Sequence, residues 1–312
     1  MTSPYKRPRL LFTAHLETIY PALLRRVEAP LYQRERITTP DSDFLDLDWL
    51  LQGSNKLVII SHGLEGNSSR AYMKGMALAA YRQGYDVLTW NFRGCSEEMN
   101  RQLRFYHSGA TDDLDLVVRH SIQKSYSVLY LVGFSLGGNL TLKYLGERDT
   151  LPEIKRACVF SVPVDLYTSC LKISQPVNWV YSNRFLKSLT KKIIQKSRTM
   201  NGLDITNIGK IRNLIEFDDR FTAPLHGFQG ALDYYTRCSS LHFLEGIRIP
   251  TLVVNAKNDP FLSDACFPLR QLENNTYVDF ESPEYGGHVG FAQFNKNGLY
   301  WSEERAMSFL SS

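Results

Sequence analysis

The sequence predicts a mostly parallel, twisted β-sheet with helices on both faces, and three observations carry that expectation. Short apolar stretches alternate with helix-length stretches over most of the chain. One apolar stretch, residues 127–132, runs through Gly133-Phe134-Ser135-Leu136-Gly137 into a helix-spaced set of leucines at 136, 140, 142 and 145. Between Asp165 and Gly246 the strand rhythm stops, and it then resumes.

Taken in order, residues 1–35 are mixed and punctuated by proline, with a short helix expected near 15–24. In 43–49, Leu45, Leu47 and Trp49 alternate with Asp46 and Asp48, the pattern of a half-exposed strand at the start of a sheet. Residues 56–60 (Lys-Leu-Val-Ile-Ile) form a continuous apolar strand that ends in Ser61-His62-Gly63-Leu64-Glu65-Gly66. A helix over 71–83 closes on Gly84, and a strand over 85–90 runs into Asn91-Phe92-Arg93-Gly94-Cys95-Ser96. A helix over 111–123 precedes the Ser135 strand, and a further strand is expected over 155–164.

Residues 165–246 read as helical and aromatic, an inserted cap over the strand ends of one domain spanning 1–312. Strands over 250–256 and 276–281 and a closing helix over 301–310 complete the pattern.

Bulk composition narrows the function classes. Hydrophobic content of 43% and charged content of 22% describe an ordinary soluble chain with a large core. A net charge of +4 is too small to imply nucleic acid. Cys95, Cys158, Cys170, Cys238 and Cys266 are scattered and contain no C-x-x-C pair, which argues against a disulfide framework or a zinc site. Cys158, in Ala-Cys-Val-Phe, reads as a small core residue. There is no signal-peptide core and no membrane-length apolar run, so the cytoplasm is the expected location.

Gly133 to Gly137 is a G-x-S-x-G pattern with a strand before it and a helix after it, the context of a nucleophile elbow. A serine hydroxyl needs a base, and the base needs an orienting acid, in the chain order Ser, Asp or Glu, His. Asp259 lies in Asn258-Asp259-Pro260 just beyond the 250–256 strand, where such sheets place their chemistry. His288, in Gly286-Gly287-His288-Val289-Gly290, is the only histidine C-terminal to it. An Asp-Pro pair alone would read as a turn, and a lone histidine as a core or surface group; the order after Ser135 distinguishes both. The oxyanion formed by attack on a carbonyl needs two backbone N–H donors, assigned to Leu64 and Leu136. His62 is expected to tie down its turn, and Arg93 and Cys95 to support a loop or line the pocket.

With these residues in view, the chain resembles the α/β-hydrolase superfamily, in particular its YheT-like branch, related to eukaryotic abhydrolase-domain esterases and lipases. The matching stretches are His15 to Pro21, Asp43 to Trp49, His62 to Gly66, Asn91 to Ser96, Tyr106 to Gly109, Gly133 to Gly137, Asn258 to Pro260 and Gly286 to Gly290. The resemblance implies an α/β-hydrolase fold and a Ser-His-Asp carboxylesterase acting on small-molecule acyl or lipid-derived esters, with no metal and no cofactor. Membrane-anchored members carry an N-terminal span that this sequence does not show.

Residues 166–203 hold seven basic side chains (Lys172, Arg184, Lys187, Lys191, Lys192, Lys196, Arg198) and no acidic one. Phe185, Leu186, Leu189, Ile193 and Ile194 are expected to form one helical face with the lysines opposite. The favoured expectation is a cap helix with its apolar side on the pocket and its charges in water; weak contact with an anionic membrane surface is the sharper alternative. Thioesterase or acyltransferase chemistry shares the same acyl-enzyme logic, and a catalytically silent binding scaffold is the alternative from another class.

Overall fold

The computed structural model of the chain describes residues 4–312. Helix α1 (Ala14–Leu23) precedes strands β1 (Gln33–Thr38), β2 (Phe44–Leu50) and β3 (Lys56–Ser61). Helix α2 (Ala71–Arg82), strand β4 (Asp86–Asn91), helix α3 (Thr111–Gln123), strand β5 (Val128–Phe134), helix α4 (Leu136–Glu147) and strand β6 (Ile154–Phe160) follow in alternation. The helical segment contains α5 (Leu166–Ile173), α6 (Trp179–Ser197), α7 (Leu214–Phe217), α8 (Ala223–Leu225) and α9 (Ala231–Cys238). Strand β7 (Thr251–Val254), α10 (Leu269–Leu272), strand β8 (Val278–Glu281) and α11 (Trp301–Leu310) close the chain.

The strands form one sheet in the order β1-β2-β4-β3-β5-β6-β7-β8. Strand β2 pairs antiparallel with both its neighbours, and the pairs from β4 through β8 are all parallel. Parallel strands need cover on both faces, and β3 shows how the sequence supplies it. Leu57 and Ile59 join a core with α3 and α4, whereas Val58 and Ile60 join a second core with α2 and α11. After β3 the chain goes to β4 on one side and then to β5 on the other. The loops leaving β3 and β5 therefore diverge, which opens a crevice at their C-terminal ends.

Several expectations need correction or addition. Strand β1 has a single apolar residue, Ile37, so its sequence carries no strand signal; it pairs through its backbone with β2. The same pairing buries β2 on both faces. Arg36 stands opposite Asp46 and Arg34 opposite Asp48, with Nε–carboxylate distances of 2.7 and 2.8 Å. Burial works against the Asp46 carboxylate, but hydrogen bonds from Arg36 and Ser96 and the charges of Arg36 and Arg34 together hold the carboxyl below its ordinary range. The acids expected to face water are thus covered by a neighbouring strand. Strand β6 stops at Phe160 rather than 164, because Ser161 turns the chain at φ 54°.

Lys192 and Lys196, expected on a solvated face of α6, point inward. The Lys192 ammonium lies 2.8 Å from Glu65 Oε1 and 3.2 Å from Cys95 Sγ. Lys196 is fully buried, donates to Asn100 Oδ1 at 2.8 Å and to the carbonyls of residues 102–104, and sits 3.7 Å from the Phe105 ring centroid. Arg184, Lys187, Lys191 and Arg198 do face solvent.

Arg93 supports its loop as expected, in a buried ion network. Its guanidinium lies 2.7 Å from Asp113, 2.9 Å from Asp41 and 3.0 Å from Asp43. Among the described residues no helix is long and apolar enough to cross a membrane. Replacing Arg93 by Met strands the buried Asp43 and Asp113 carboxylates, and equilibrium urea unfolding is expected to show a loss of about 3–5 kcal/mol.

Candidate active site

The site is built where β3, β5, β7 and the 286–291 loop end on one edge of the sheet. Ser135 holds φ 51° and ψ −118° between β5 and α4, a conformation costly for a residue with a Cβ. Its neighbours explain why glycine flanks it. A Cβ on Gly133 would lie 2.6 Å from the Gly137 carbonyl oxygen, and one on Gly137 would lie 2.4 Å from the His62 carbonyl oxygen. The strand-to-helix turn is closed backbone to backbone.

The Ser135 hydroxyl is 3.0 Å from His288 Nε2, and His288 Nδ1 is 2.9 and 3.1 Å from the two Asp259 oxygens. This network assigns the tautomer: Nδ1–H donates to the carboxylate, and Nε2 accepts from the hydroxyl. Asp259 is 4% exposed, and its Oδ1 also accepts the Phe261 N–H at 2.9 Å. The Phe261 ring lies against the imidazole, centroids 4.1 Å apart, and shields it from water. The three residues singled out from chain order therefore meet.

The loop after β3 differs from residue to residue in how its amides are satisfied. Gly63 N–H donates to the Tyr72 hydroxyl, Glu65 N–H to the Tyr106 hydroxyl and Gly66 N–H to the Gly63 carbonyl. Within residues 63–66, Leu64 alone has an amide with no hydrogen-bond partner among the described residues. Leu136 opens α4, so its N–H lies in the unsatisfied first turn. A Cβ on Gly63 would lie 3.2 Å from the Ser135 Cβ, so the two loops are in contact. His62 ties the turn as expected: Nδ1 donates to the Gly63 carbonyl at 2.8 Å, and Nε2 accepts the Phe92 N–H at 3.1 Å. Burial lowers its pKa to about 3, so it stays neutral.

Several residues of this edge escaped the sequence reading. Glu17 and Thr18 lie on α1, in a stretch known only by resemblance. Thr18 Oγ1 accepts the His288 N–H at 2.9 Å. Glu17 is fully buried; it accepts from Asn258 Nδ2 at 2.6 Å, while Asn258 Oδ1 accepts the Gly287 N–H at 3.1 Å. Asn258 thus joins the acid loop to the base loop, and Glu17 orients its amide. Desolvation raises the Glu17 pKa above its ordinary value, against the hydrogen bonds from Asn258 and Tyr5. Ser161, at the β6 turn, accepts the Val289 N–H at 2.8 Å. Glu65, held at φ 54°, receives Lys192, Ser188 and Tyr106 and so ties α6 to the loop that carries Leu64.

Two cavities meet at Ser135, and Leu64, Phe185, Phe261 and His288 line both. One, of about 820 Å³ counting its open mouth, runs under the helical segment among Ile173, Leu189, Leu214 and Tyr235. The larger, about 1420 Å³, lies between α1, α2 and α6 and includes Arg25, Arg70 and Arg184.

A family model described as the alpha/beta hydrolase fold matches residues 56–293. The chain belongs to the α/β-hydrolase family. This hydrolase is 34% identical over 308 residues to YheT of Escherichia coli (strain K12), which carries an esterase designation; the match covers 96% of this chain and 90% of that one. It is 30% identical over 274 residues to the phospholipase ABHD3 of Bos taurus, over 84% of this chain and 67% of the relative. Among solved structures it resembles the Pyrococcus furiosus esterase Pf2001, with TM-score 0.62 and 19% identity over 92% of this chain and 94% of that one. The α/β-hydrolase fold expected from the sequence is the one observed.

In this hydrolase, removing the Asn258 amide uncouples the acid and base loops. Asn258→Ala is expected to lower kcat on a p-nitrophenyl ester about tenfold or more while KM moves less than about twofold. Steady-state kinetics on the purified variant check it, and an unchanged kcat would refute the coupling.

Proposed function

We propose that this ester hydrolase cleaves carboxylic esters through an acyl-enzyme formed on Ser135. The observation that carries the reading is the unbroken hydrogen-bonded chain from the Ser135 hydroxyl through His288 to the buried Asp259.

As Ser135 Oγ attacks the ester carbonyl carbon, its proton passes to His288 Nε2. The imidazolium that forms is stabilised by Asp259 across Nδ1–H. The carbonyl oxygen takes up negative charge between the N–H groups of Leu64 and Leu136, where donors fixed in advance stabilise it without reorganising. Collapse of the intermediate breaks the bond to the leaving alkoxide, which takes the proton from His288. Water then repeats the sequence on the acyl-serine, with His288 as base, and releases the acid. No metal or cofactor enters these steps.

The acyl chain occupies the cavity beneath residues 165–246, which act as a cap inserted in one domain, and the alcohol leaves through the larger, arginine-bearing cavity. The first cavity's size is typical of small-molecule sites, and its walls are mainly aliphatic and aromatic. The basic side chains of α6 that remain exposed serve as a solvated face.

A fluorophosphonate probe is expected to label the wild type and not Ser135→Ala, read by fluorescence after denaturing electrophoresis. Label retained on the variant would exclude Ser135 as nucleophile. The same substitution is expected to lower kcat/KM on p-nitrophenyl butyrate by about 10⁴-fold or more.

A further inference from the structure

The cavity assigned to the acyl chain contains one feature that an alkyl chain does not need. Between α7 and α8 the chain makes a π-helical turn over Asp218–Thr222, and the Ala223 N–H reaches back five residues to the Asp218 carbonyl. The next residue, Pro224, has no N–H with which to continue an ordinary ladder. Such turns are rare and concentrate at functional sites. This one sets Asp218 and Thr222, four residues apart, together in the cavity wall.

The Asp218 carboxylate accepts from the Thr222 hydroxyl and, at 2.6 Å, from the Tyr235 hydroxyl on α9. Cys170 on α5 lines the same wall. No lysine or arginine is among the described residues lining the cavity, so the carboxylate has no cation to neutralise it. Burial pushes its pKa up to about 6, which leaves it ionised at neutral pH. Both hydroxyl protons are already given to Asp218. What the cluster offers a guest is therefore acceptor oxygens alone: two from the carboxylate and one from each hydroxyl.

We propose that Asp218, Thr222 and Tyr235 form a subsite in the acyl cavity that selects acyl groups bearing a hydrogen-bond donor, a hydroxyl or an ammonium, on an otherwise apolar chain. A plain alkyl chain that reaches the same depth covers the remaining acceptor sites of the carboxylate without offering a donor, which is costly. This inference rests on the assignment of that cavity to the acyl group.

The test uses p-nitrophenyl esters of about four to ten carbons, each length as plain alkanoate, ω-hydroxyalkanoate and ω-ammonioalkanoate. At one length or more, the wild type is expected to favour the hydroxyl or ammonium ester over the plain ester by about tenfold in kcat/KM. Asp218→Asn keeps an acceptor but no charge, so the ammonium preference is expected to fall to about one while part of the hydroxyl preference persists. On the wild type alone, the ammonium-to-plain ratio is expected to drop between about pH 8 and about pH 5 as the carboxylate takes up its proton. The ratio cancels any effect of pH on the acylation step that both esters share, and it needs no variant to fold. A wild type that prefers the plain ester at every length would overturn the subsite, as would a preference unmoved by Asp218→Asn or by pH. Fluorophosphonate labelling, run in parallel, separates the two readings: a chain that labels at Ser135 but shows no preference loses only the subsite, whereas one that does not label loses the acyl-enzyme.

Discussion

The site depends on how closely two loops approach at the sheet edge. The turn after β3 and the turn after β5 touch through their backbones, with no room for a Cβ at Gly137 and little at Gly63. At that contact Ser135 holds its strained backbone conformation, and the loop carrying Leu64 lies against the turn that opens α4. Strain of this kind persists only where surrounding packing over-determines it. Here the packing is the doubly covered parallel sheet, with alternate residues of β3 anchored in separate cores.

The imidazole is held differently. His288 sits in a loop whose residues at 286, 287, 289 and 291 all have positive φ, so the loop is rigid through its partners rather than through regular structure. Those partners come from distant parts of the chain: Thr18 from α1, Asn258 from the acid loop and Ser161 from the end of β6. Burying Glu17 to orient Asn258 is costly in desolvation. The return is a fixed geometry between the Asp259 and His288 loops, as the proposed proton transfer would require.

Several buried ions have an oppositely charged partner supplied by another element. Arg93 meets acids from the β1–β2 region and α3, Asp46 and Asp48 meet β1, and Lys192 meets Glu65. The last pair joins α6 to the loop that bears Leu64. Asp218 has no cation among the described residues lining its cavity and is answered by hydroxyls.

What could be read from the sequence were the features coded by local pattern. Apolar runs marked β3, β4, β5 and β7. Helix periodicity placed α2, α3 and α11 to within a residue or so. The glycine spacing around Ser135 and the order Ser, Asp, His named three residues that the fold brings together. Tertiary structure decided whatever depends on a partner remote in sequence. Strand β1 carries no apolar pattern and exists because β2 offers it an edge with matching acids. The expectation that the lysines of α6 lie opposite its apolar face failed at Lys192 and Lys196, which share the inward side with Phe185 and Leu189 and meet Glu65 and a set of carbonyls there. Glu17, Thr18 and Asn258 gave no chemical signal either, because their role lies in contacts across hundreds of residues. Local physics writes the elements and their order, while the direction a polar side chain faces is settled only when distant elements pack around it.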